Sequence, residues 1–196
     1  MLKIAVLGST KGTSLQPIID AINQKTLPGV AIKIIISNKR DAGIIERARR
    51  HKIEYAVIES KGKEREAFGH EVSSLLRGKE IGLILLIGYM RILSDGFIAD
   101  WKGKMLNVHP SLLPKFAGGM DMQVHAEVLD AGEKESGCTV HFVTEEVDGG
   151  PIVVQKKCAI SEDETPETLK QKVQALEGEA FIEAIGLFRD GKIGRT

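Results

Sequence analysis

The sequence predicts an α/β fold, namely a doubly wound, mostly parallel sheet with helices on both faces. Several short segments in the first part of the chain are apolar at nearly every position, as strands buried on both faces are. Between them lie longer segments whose apolar residues recur at helical spacing. A glycine-rich turn directly after the first apolar segment is a third sign of a strand passing into a helix.

Taken in order, strands are predicted at residues 3–7, 31–36, 55–58 and 81–87, and a further strand ends near 105–108. Helices are predicted from Thr13 onward with Ser14 as cap, at 41–50, and at 64–76. Residues 138–143 and 152–157 flank an acidic glycine turn, so they either pair or are joined by a loop. A last helix starts near Pro166, with Ser161 or Thr165 as its cap. We expect a single domain over residues 1–196.

The composition argues against several classes of function. The 27 basic residues balance the 27 acidic ones, which argues against a broad surface for nucleic acid or an anionic membrane, although a local site for one phosphate is compatible. The longest apolar stretch, residues 82–90, is much shorter than the roughly 20 residues of a membrane helix. Cys138 and Cys158 are too few for a disulfide framework, so we expect buried thiols and a cytoplasmic protein. The histidines match no metal-ligand spacing, so no metal is expected.

The glycine turn at residues 8–14 is a candidate phosphate site. A turn entering a helix brings free backbone N–H groups and the positive end of the helix dipole together, and the hydroxyls of Thr13 and Ser14 would add donors. It is neither a G-x-x-x-x-G-K-[ST] loop, since no lysine follows Gly12, nor a G-x-G-x-x-G loop, since Thr10 stands at the second glycine position. A plain tight turn with a helix cap remains the alternative.

A second candidate site lies at the predicted strand end around residue 108. Strand alternation puts Asn107 and His109 on the same side, where two donors would suit an oxyanion and the histidine could move a proton. The alternative is a core histidine before a proline turn. An acid of the turn at residues 144–151, which includes Asp148, could orient His109 and raise its pKa; the alternative is a solvated acidic loop.

Four segments carry a resemblance to a known family: residues 12–16 (GTSLQ), 88–93 (GYMRIL), 107–115 (NVHPSLLPK), and 141–143 with 148–151 (HFV and DGGP). In this order they resemble the phosphoribosylglycinamide formyltransferase family of purine biosynthesis, over nearly the whole chain. The resemblance implies a Rossmann-like formyltransferase fold, with a phosphate-binding half over residues 1–100 and a catalytic, folate-binding half over 101–196. It also implies formyl transfer from the co-substrate 10-formyltetrahydrofolate to the amine of glycinamide ribonucleotide, without a metal.

The same resemblance implies roles for individual residues. Gly12, Thr13 and Ser14 would hold the phosphate, and Glu177 would bind the glycinamide end. Asn107 and His109 would donate to the oxyanion, while Asp148 would keep His109 protonated and share in a proton relay. The folate pocket would recognise its ligand largely through backbone groups. It would be formed by Arg65, Met90, Arg91, Ile92, Leu93, Asn107, Val143, Thr144, Glu145, Glu146, Val147 and Asp148.

The chain departs from the common family pattern in two places. The phosphate loop, usually Asn-Gly-Ser-Asn, is here Lys-Gly-Thr-Ser, and Lys11 either adds charge to the phosphate site or faces solvent. The stretch 117–125 is about three residues longer than the family form, although His125 still matches a family histidine. The conformation of this stretch stays open.

Other functions are disfavoured rather than excluded. The nearest rival is a 10-formyltetrahydrofolate hydrolase, which would usually carry an extra N-terminal domain, whereas Met1 here leads directly into the first strand. Methionyl-tRNA formyltransferase would need a further C-terminal domain and a basic face. A folate-binding protein without turnover would not need Asn107, His109 and Asp148 together, and a dinucleotide enzyme would need the missing glycine pattern. We expect small-molecule substrates and leave the choice between monomer and homodimer open.

Overall fold

A computed structural model describes residues 1–120 and 122–194 of the chain. The strands, numbered in chain order, are β1 Leu2–Leu7, β2 Val30–Ser37, β3 Tyr55–Val57, β4 Leu83–Leu86, β5 Met105–His109, β6 Glu135–Phe142 and β7 Ile152–Ala159. The helices are α1 Leu15–Asn23, α2 Gly43–Arg50, α3 Arg65–Gly78, α4 Asp95–Asp100, α5 Met122–Asp130 and α6 Pro166–Arg189.

The strands form one seven-stranded sheet in the order β3-β2-β1-β4-β5-β6-β7. β1 to β5 run parallel, whereas β6 is antiparallel to both β5 and β7. The chain moves outward from β1 through β2 and β3, then returns to β4 on the other side of β1. The crevice beyond the carboxyl ends of β1 and β4 is therefore the topological switch point, where open α/β sheets bind their ligands. The predicted doubly wound, mostly parallel fold is confirmed.

Helices cover both faces of the sheet and produce two apolar layers. One layer contains apolar residues of α1, α2, α5 and α6, and the other contains those of α3 and α4. β1 contributes to both, because Ile4 and Val6 point into the first layer while Ala5 and Leu7 point into the second. Burial on both faces explains why the central strands are continuously apolar in sequence.

Most predicted elements are present within a few residues of their expected bounds. The two segments flanking the acidic turn, left open above, pair antiparallel as β6 and β7. The last helix begins at Pro166 and is capped by Thr165, whose hydroxyl accepts from the Thr168 N–H, so Thr165 rather than Ser161 is the cap. Such a cap satisfies a backbone donor that has no partner within the helix.

Three features differ from the prediction. Ser14 stands at the N-cap position of α1 but makes no capping bond, because its hydroxyl is turned to Glu177. α4 was not predicted, since six residues are too few to show helical spacing. α5 was not predicted either; it begins at Met122, so residues 122–125 of the longer stretch 117–125 are helical, and Asp121 of that stretch lies outside the described residues. Within residues 1–120 and 122–194, no helix is both long and apolar enough to cross a bilayer.

Candidate active site at the ends of the central strands

The turn after β1 lies at the switch point and is bonded to the segment that follows β4. The Ser9 N–H donates to the Gly88 carbonyl at 3.0 Å, and the Ser9 hydroxyl accepts from the Met90 N–H at 2.9 Å. Gly12 has a φ of +62°, and a Cβ there would lie 2.7 Å from Ile44 Cγ1. Both the backbone conformation and the packing of α2 therefore require glycine at this position.

The predicted phosphate residues lie where this turn enters α1. The helix begins at Leu15, whose N–H donates to the Gly12 carbonyl at 3.2 Å. N–H groups at the start of a helix lack partners within the helix, and the helix dipole makes them suitable for an anion. Lys11 and Thr13 are exposed here, whereas Ser14 is buried.

Asn107, His109 and Asp148 belong to one hydrogen-bonded cluster. His109 Nδ1 lies 3.1 Å from Asp148 Oδ2, and His141 Nε2 lies 3.4 Å from Asp148 Oδ1. His141 Nε2 also lies 3.1 Å from Asn107 Nδ2, because His141 stands opposite Asn107 in the β5–β6 register. Sequence reasoning assigned no role to His141, and only the strand register could have revealed its position.

The Asp148 carboxyl is the acceptor at the centre of this cluster. Burial on its own would raise the pKa of Asp148, but hydrogen bonds from His109 and the Gly118 N–H outweigh it and hold the pKa well below its usual value. Asp148 has a φ of +55°, a conformation that carries some strain in a residue with a side chain. The carboxylate is therefore ionised across the physiological range and is held by two donors, His109 and the Gly118 N–H.

The loop that follows β5 occupies the second nitrogen of His109. His109 Nε2 lies 2.8 Å from the Phe116 carbonyl oxygen, and the Gly118 N–H donates to Asp148 Oδ2 at 2.9 Å. Both ring nitrogens of His109 thus face acceptors, which suits the doubly protonated imidazole. Phe116 was not among the predicted site residues, because its contribution is a backbone carbonyl.

Glu177 joins this region from α6. Its side chain is buried and accepts a hydrogen bond from the Ser14 hydroxyl. Burial raises the pKa of Glu177, while the Ser14 bond and the charges of Lys170 and His109 oppose that shift. The interactions of Glu177 with Ser14 and with His109 bring the predicted phosphate, glycinamide and catalytic residues into one region of the molecule.

The predicted folate segments differ in how far they are exposed. Met90, Ile92 and Val147 are 43%, 65% and 59% exposed, so apolar side chains face outward on both segments. Leu93 is instead buried in the second apolar layer. The side chains of Met90, Ile92 and Val147 are therefore available for apolar contacts with a ligand.

The remaining part of the second folate segment is a turn that crosses from β6 to β7. Val143 extends the pairing to β5 through a 3.0 Å bond from its N–H to the Met105 carbonyl. The Thr144 hydroxyl donates to the Glu146 carbonyl at 3.2 Å, and Glu145 and Glu146 are both exposed. The turn is thus held by a hydrogen bond between two of its own residues and presents two acids to solvent.

The two predicted folate arginines lie apart from the catalytic cluster. Arg91 donates to the carbonyls of Ser60 and Lys63 at 3.3 and 3.1 Å, so its side chain fixes a neighbouring loop. Arg65 begins α3 and lines a cavity of about 210 Å³. The other residues of that cavity, none of which belongs to the catalytic cluster, are Glu64, Glu66, Ser94 and Asp95.

Three further observations concern the surroundings of the cluster. His125, which matches a family histidine, is buried on α5. Across the described residues, no group of three or more His, Cys, Asp or Glu side chains is placed to hold a metal ion. A cavity of about 330 Å³ lies between residues 112–116 and the strands β6 and β7, and it includes none of the predicted site residues.

The chain is similar to known proteins over nearly its full length. The family model described as formyl transferase matches residues 2–185. Phosphoribosylglycinamide formyltransferase of Escherichia coli (strain K12) is 37% identical over 98% of this chain and 89% of its own length. The solved structure of phosphoribosylglycinamide formyltransferase from Coxiella burnetii, in complex with CHES, is 38% identical, with a TM-score of 0.92 over 100% of this chain and 90% of that one.

A longer relative shows the same similarity in part of its length. The trifunctional purine biosynthetic protein adenosine-3 of Drosophila pseudoobscura pseudoobscura is 42% identical over 99% of this chain. The chain spans 14% of the length of that relative. The similarity to it therefore concerns one part of a much larger protein.

Proposed function

The chain belongs to the formyl transferase family, and from this premise we propose that it transfers the formyl group of 10-formyltetrahydrofolate to the amine of 5-phosphoribosylglycinamide. The products are formylglycinamide ribonucleotide and tetrahydrofolate, a step of purine biosynthesis. The observation that carries the proposal is the cluster of Asn107, His109 and Asp148, in which Asp148 is 3.1 Å from His109. The Escherichia coli relative of nearly equal length, named for this activity, supports the choice of substrates.

The ribonucleotide is bound between the glycine turn and α6. Backbone N–H groups of Gly12, Thr13 and Ser14 receive the phosphate at the start of α1, where the helix dipole favours an anion. Glu177 receives the glycinamide end, and its bond from Ser14 keeps its carboxylate directed toward the turn. One residue, Ser14, therefore serves both ends of the same substrate.

The folate is bound along residues 90–93 and 143–148. The exposed side chains of Met90, Ile92 and Val147 offer apolar contacts, and backbone groups of both segments read the pterin. Arg91 takes part through its backbone, since its guanidinium is bound to loop carbonyls. Arg65, on the surface of α3, contacts the acidic end of the folate as an exposed cation.

The amine attacks the formyl carbon, and negative charge develops on the formyl oxygen. Asn107 donates one amide N–H to this oxygen, and His109 donates an N–H after its bond to the Phe116 carbonyl is exchanged for one to the substrate. A preorganised donor of this kind is worth roughly 10²–10³ in rate. The attacking nitrogen then loses a proton and the departing folate nitrogen gains one, with His109 and Asp148 carrying it.

One assay tests this function against its nearest rival. Purified protein is mixed with 10-formyltetrahydrofolate, with and without glycinamide ribonucleotide, and the folate product is followed. We expect turnover that depends on the ribonucleotide. Turnover in its absence would identify a hydrolase, and a lack of turnover in its presence would refute the proposal.

The setting of the reaction is also a proposal. We place it in the cytoplasm, because Cys138 and Cys158 are free thiols, which a reducing compartment preserves. The co-substrate and the ribonucleotide are its small-molecule partners.

A further inference from the structure

The imidazole of His141 has polar neighbours that determine where its protons lie. The ring is 2% exposed, so water does not supply its hydrogen bonds. Its Nδ1 lies 2.9 Å from the carbonyl oxygen of Phe142, which can only accept, so Nδ1 carries a proton. Its Nε2 lies 3.1 Å from the amide nitrogen of Asn107, which can only donate, and 3.4 Å from Asp148 Oδ1.

Nε2 cannot satisfy both of these neighbours at once. A lone pair on Nε2 accepts from Asn107, whereas a proton on Nε2 would serve Asp148 but would oppose the amide N–H groups. The contact to Asn107 is the shorter one, and 3.4 Å is long for a hydrogen bond. Asp148 already has donors in His109 at 3.1 Å and in the Gly118 N–H at 2.9 Å. The neutral Nδ1–H form of His141 therefore fits its surroundings.

The protonation state of the His141 ring determines which way the Asn107 amide faces. The amide nitrogen has two N–H groups, and one of them is used by the neutral His141 ring. A charged ring would present N–H at both nitrogens, and Asn107 would have to turn its oxygen toward Nε2. The amide N–H groups would then move to the opposite side of the side chain. The charged groups next to His141 in the cluster are Asp148 and, across it, His109.

We propose that His141 is a positioning residue for the formyl transfer proposed above. In its neutral Nδ1–H form it accepts one N–H of Asn107 and thereby aims the second N–H at the oxygen on which charge develops. His141 thus acts through Asn107 and does not touch the reacting atoms. The inference rests on the proposed function, since it assigns the purpose of the Asn107 amide in that reaction.

Kinetics of four variants test whether His141 acts through Asn107. Leucine in H141L removes the acceptor, whereas the amide oxygen of H141Q can replace it. We expect H141L to lower kcat roughly 10- to 100-fold, part of the 10²–10³ cost of losing an oxyanion donor, with both KM values within about threefold. H141Q should stay within about fivefold of wild type. In the N107A background, H141L should change kcat by less than about twofold, because residues that act as a unit are not additive.

A full effect of H141L in the N107A background would overturn the proposal, as would an H141L enzyme with normal kcat. Thermal melting followed by circular dichroism shows whether H141L is folded. If it is not, the proposal is tested by the kcat of H141Q and by the NMR spectrum of the wild-type protein. In the wild-type protein, the ¹⁵N NMR signals of His141 should show a protonated Nδ1 and an unprotonated Nε2. A protonated Nε2 would refute the proposal. Because this spectrum needs no turnover, it separates a failure of this inference from a failure of the proposed function.

Discussion

Asp148→Asn is the substitution that tests the catalytic cluster most directly. It keeps the shape of the side chain but removes the charge that accepts from His109 and the Gly118 N–H. Without that charge, the doubly protonated form of His109 loses its counter-ion 3.1 Å away. Loss of one positioned acid–base group typically costs 10²–10⁴ in rate, so we expect kcat to fall at least about 100-fold, or about 2.7 kcal/mol.

The same substitution should alter stability in a pH-dependent way. The pKa of Asp148 is held below its usual value in the folded protein, so its stabilising contribution is present above about pH 4 and is lost as the pH falls through the folded value. A hydrogen bond to a charged group is worth about 1.5–3 kcal/mol, and the amide keeps some of these bonds. We therefore expect Asp148→Asn to lower the free energy of unfolding by about 2–3 kcal/mol at neutral pH, with a smaller difference below about pH 4.

The assays are formyl transfer under saturating substrates and urea unfolding between acid and neutral pH. Asp190→Asn is the matched control, because it removes an exposed carboxylate that is paired with Arg189. The control should change kcat by less than about twofold, as surface substitutions do. Near-normal kcat in Asp148→Asn, or a stability difference that widens toward acid, would show that the carboxylate does not have the role described.

Three other substitutions, one of them with a matched control, test the surrounding structure. Ser14→Ala removes the hydrogen bond that lowers the pKa of Glu177, so this pKa should rise further. We expect the KM for the ribonucleotide to increase roughly tenfold near neutrality and to recover as the pH is raised. An unchanged KM would show that the Ser14 bond does not affect ribonucleotide binding through Glu177. Gly12→Ala should lower the free energy of unfolding by about 1–3 kcal/mol, measured with urea, because Gly12 has a positive φ. Gly186→Ala, in an open position of α6, should instead raise the free energy of unfolding by about 0.5–1 kcal/mol. Equal effects of the two substitutions would contradict this account. Thr165→Ala removes the cap of α6 and should cost about 1 kcal/mol, measured by thermal melting, while kcat stays unchanged.

The parts of the fold that could be predicted are those whose cause is local in sequence. The central strands are apolar at nearly every position because helices cover both of their faces, and this pattern is visible in residues 81–87 alone. The start of the last helix is also local, since a proline near a hydroxyl residue marks a helix start, although the sequence leaves the choice between Ser161 and Thr165 as its cap open. α4, with six residues, is too short for such a pattern to emerge.

The part of the candidate site that could be predicted also has a cause that is local in sequence. Asn107 and His109 lie two positions apart on one strand, so alternation is sufficient to put them together. The hydroxyl of Ser14 was assigned to a cap because its actual partner, Glu177, is 163 residues away. The place of His141 depends on the register between β5 and β6, and these strands are separated by α5 rather than joined by a short turn that would fix their register.

Gly150 connects the fold to the chemistry of the site. A Cβ at this position would lie 1.8 Å from the Phe142 carbonyl oxygen, so any other residue would push the turn away from the end of β6. Asp148 lies two residues earlier on the same turn, and its carboxylate reaches His109 and His141 only while the turn stays there. A displacement of about 1 Å at a reacting group can cost 10²-fold in rate. The close contact at Gly150 therefore positions the charge of Asp148, although Gly150 itself has no polar side chain and makes no contact with the reacting atoms.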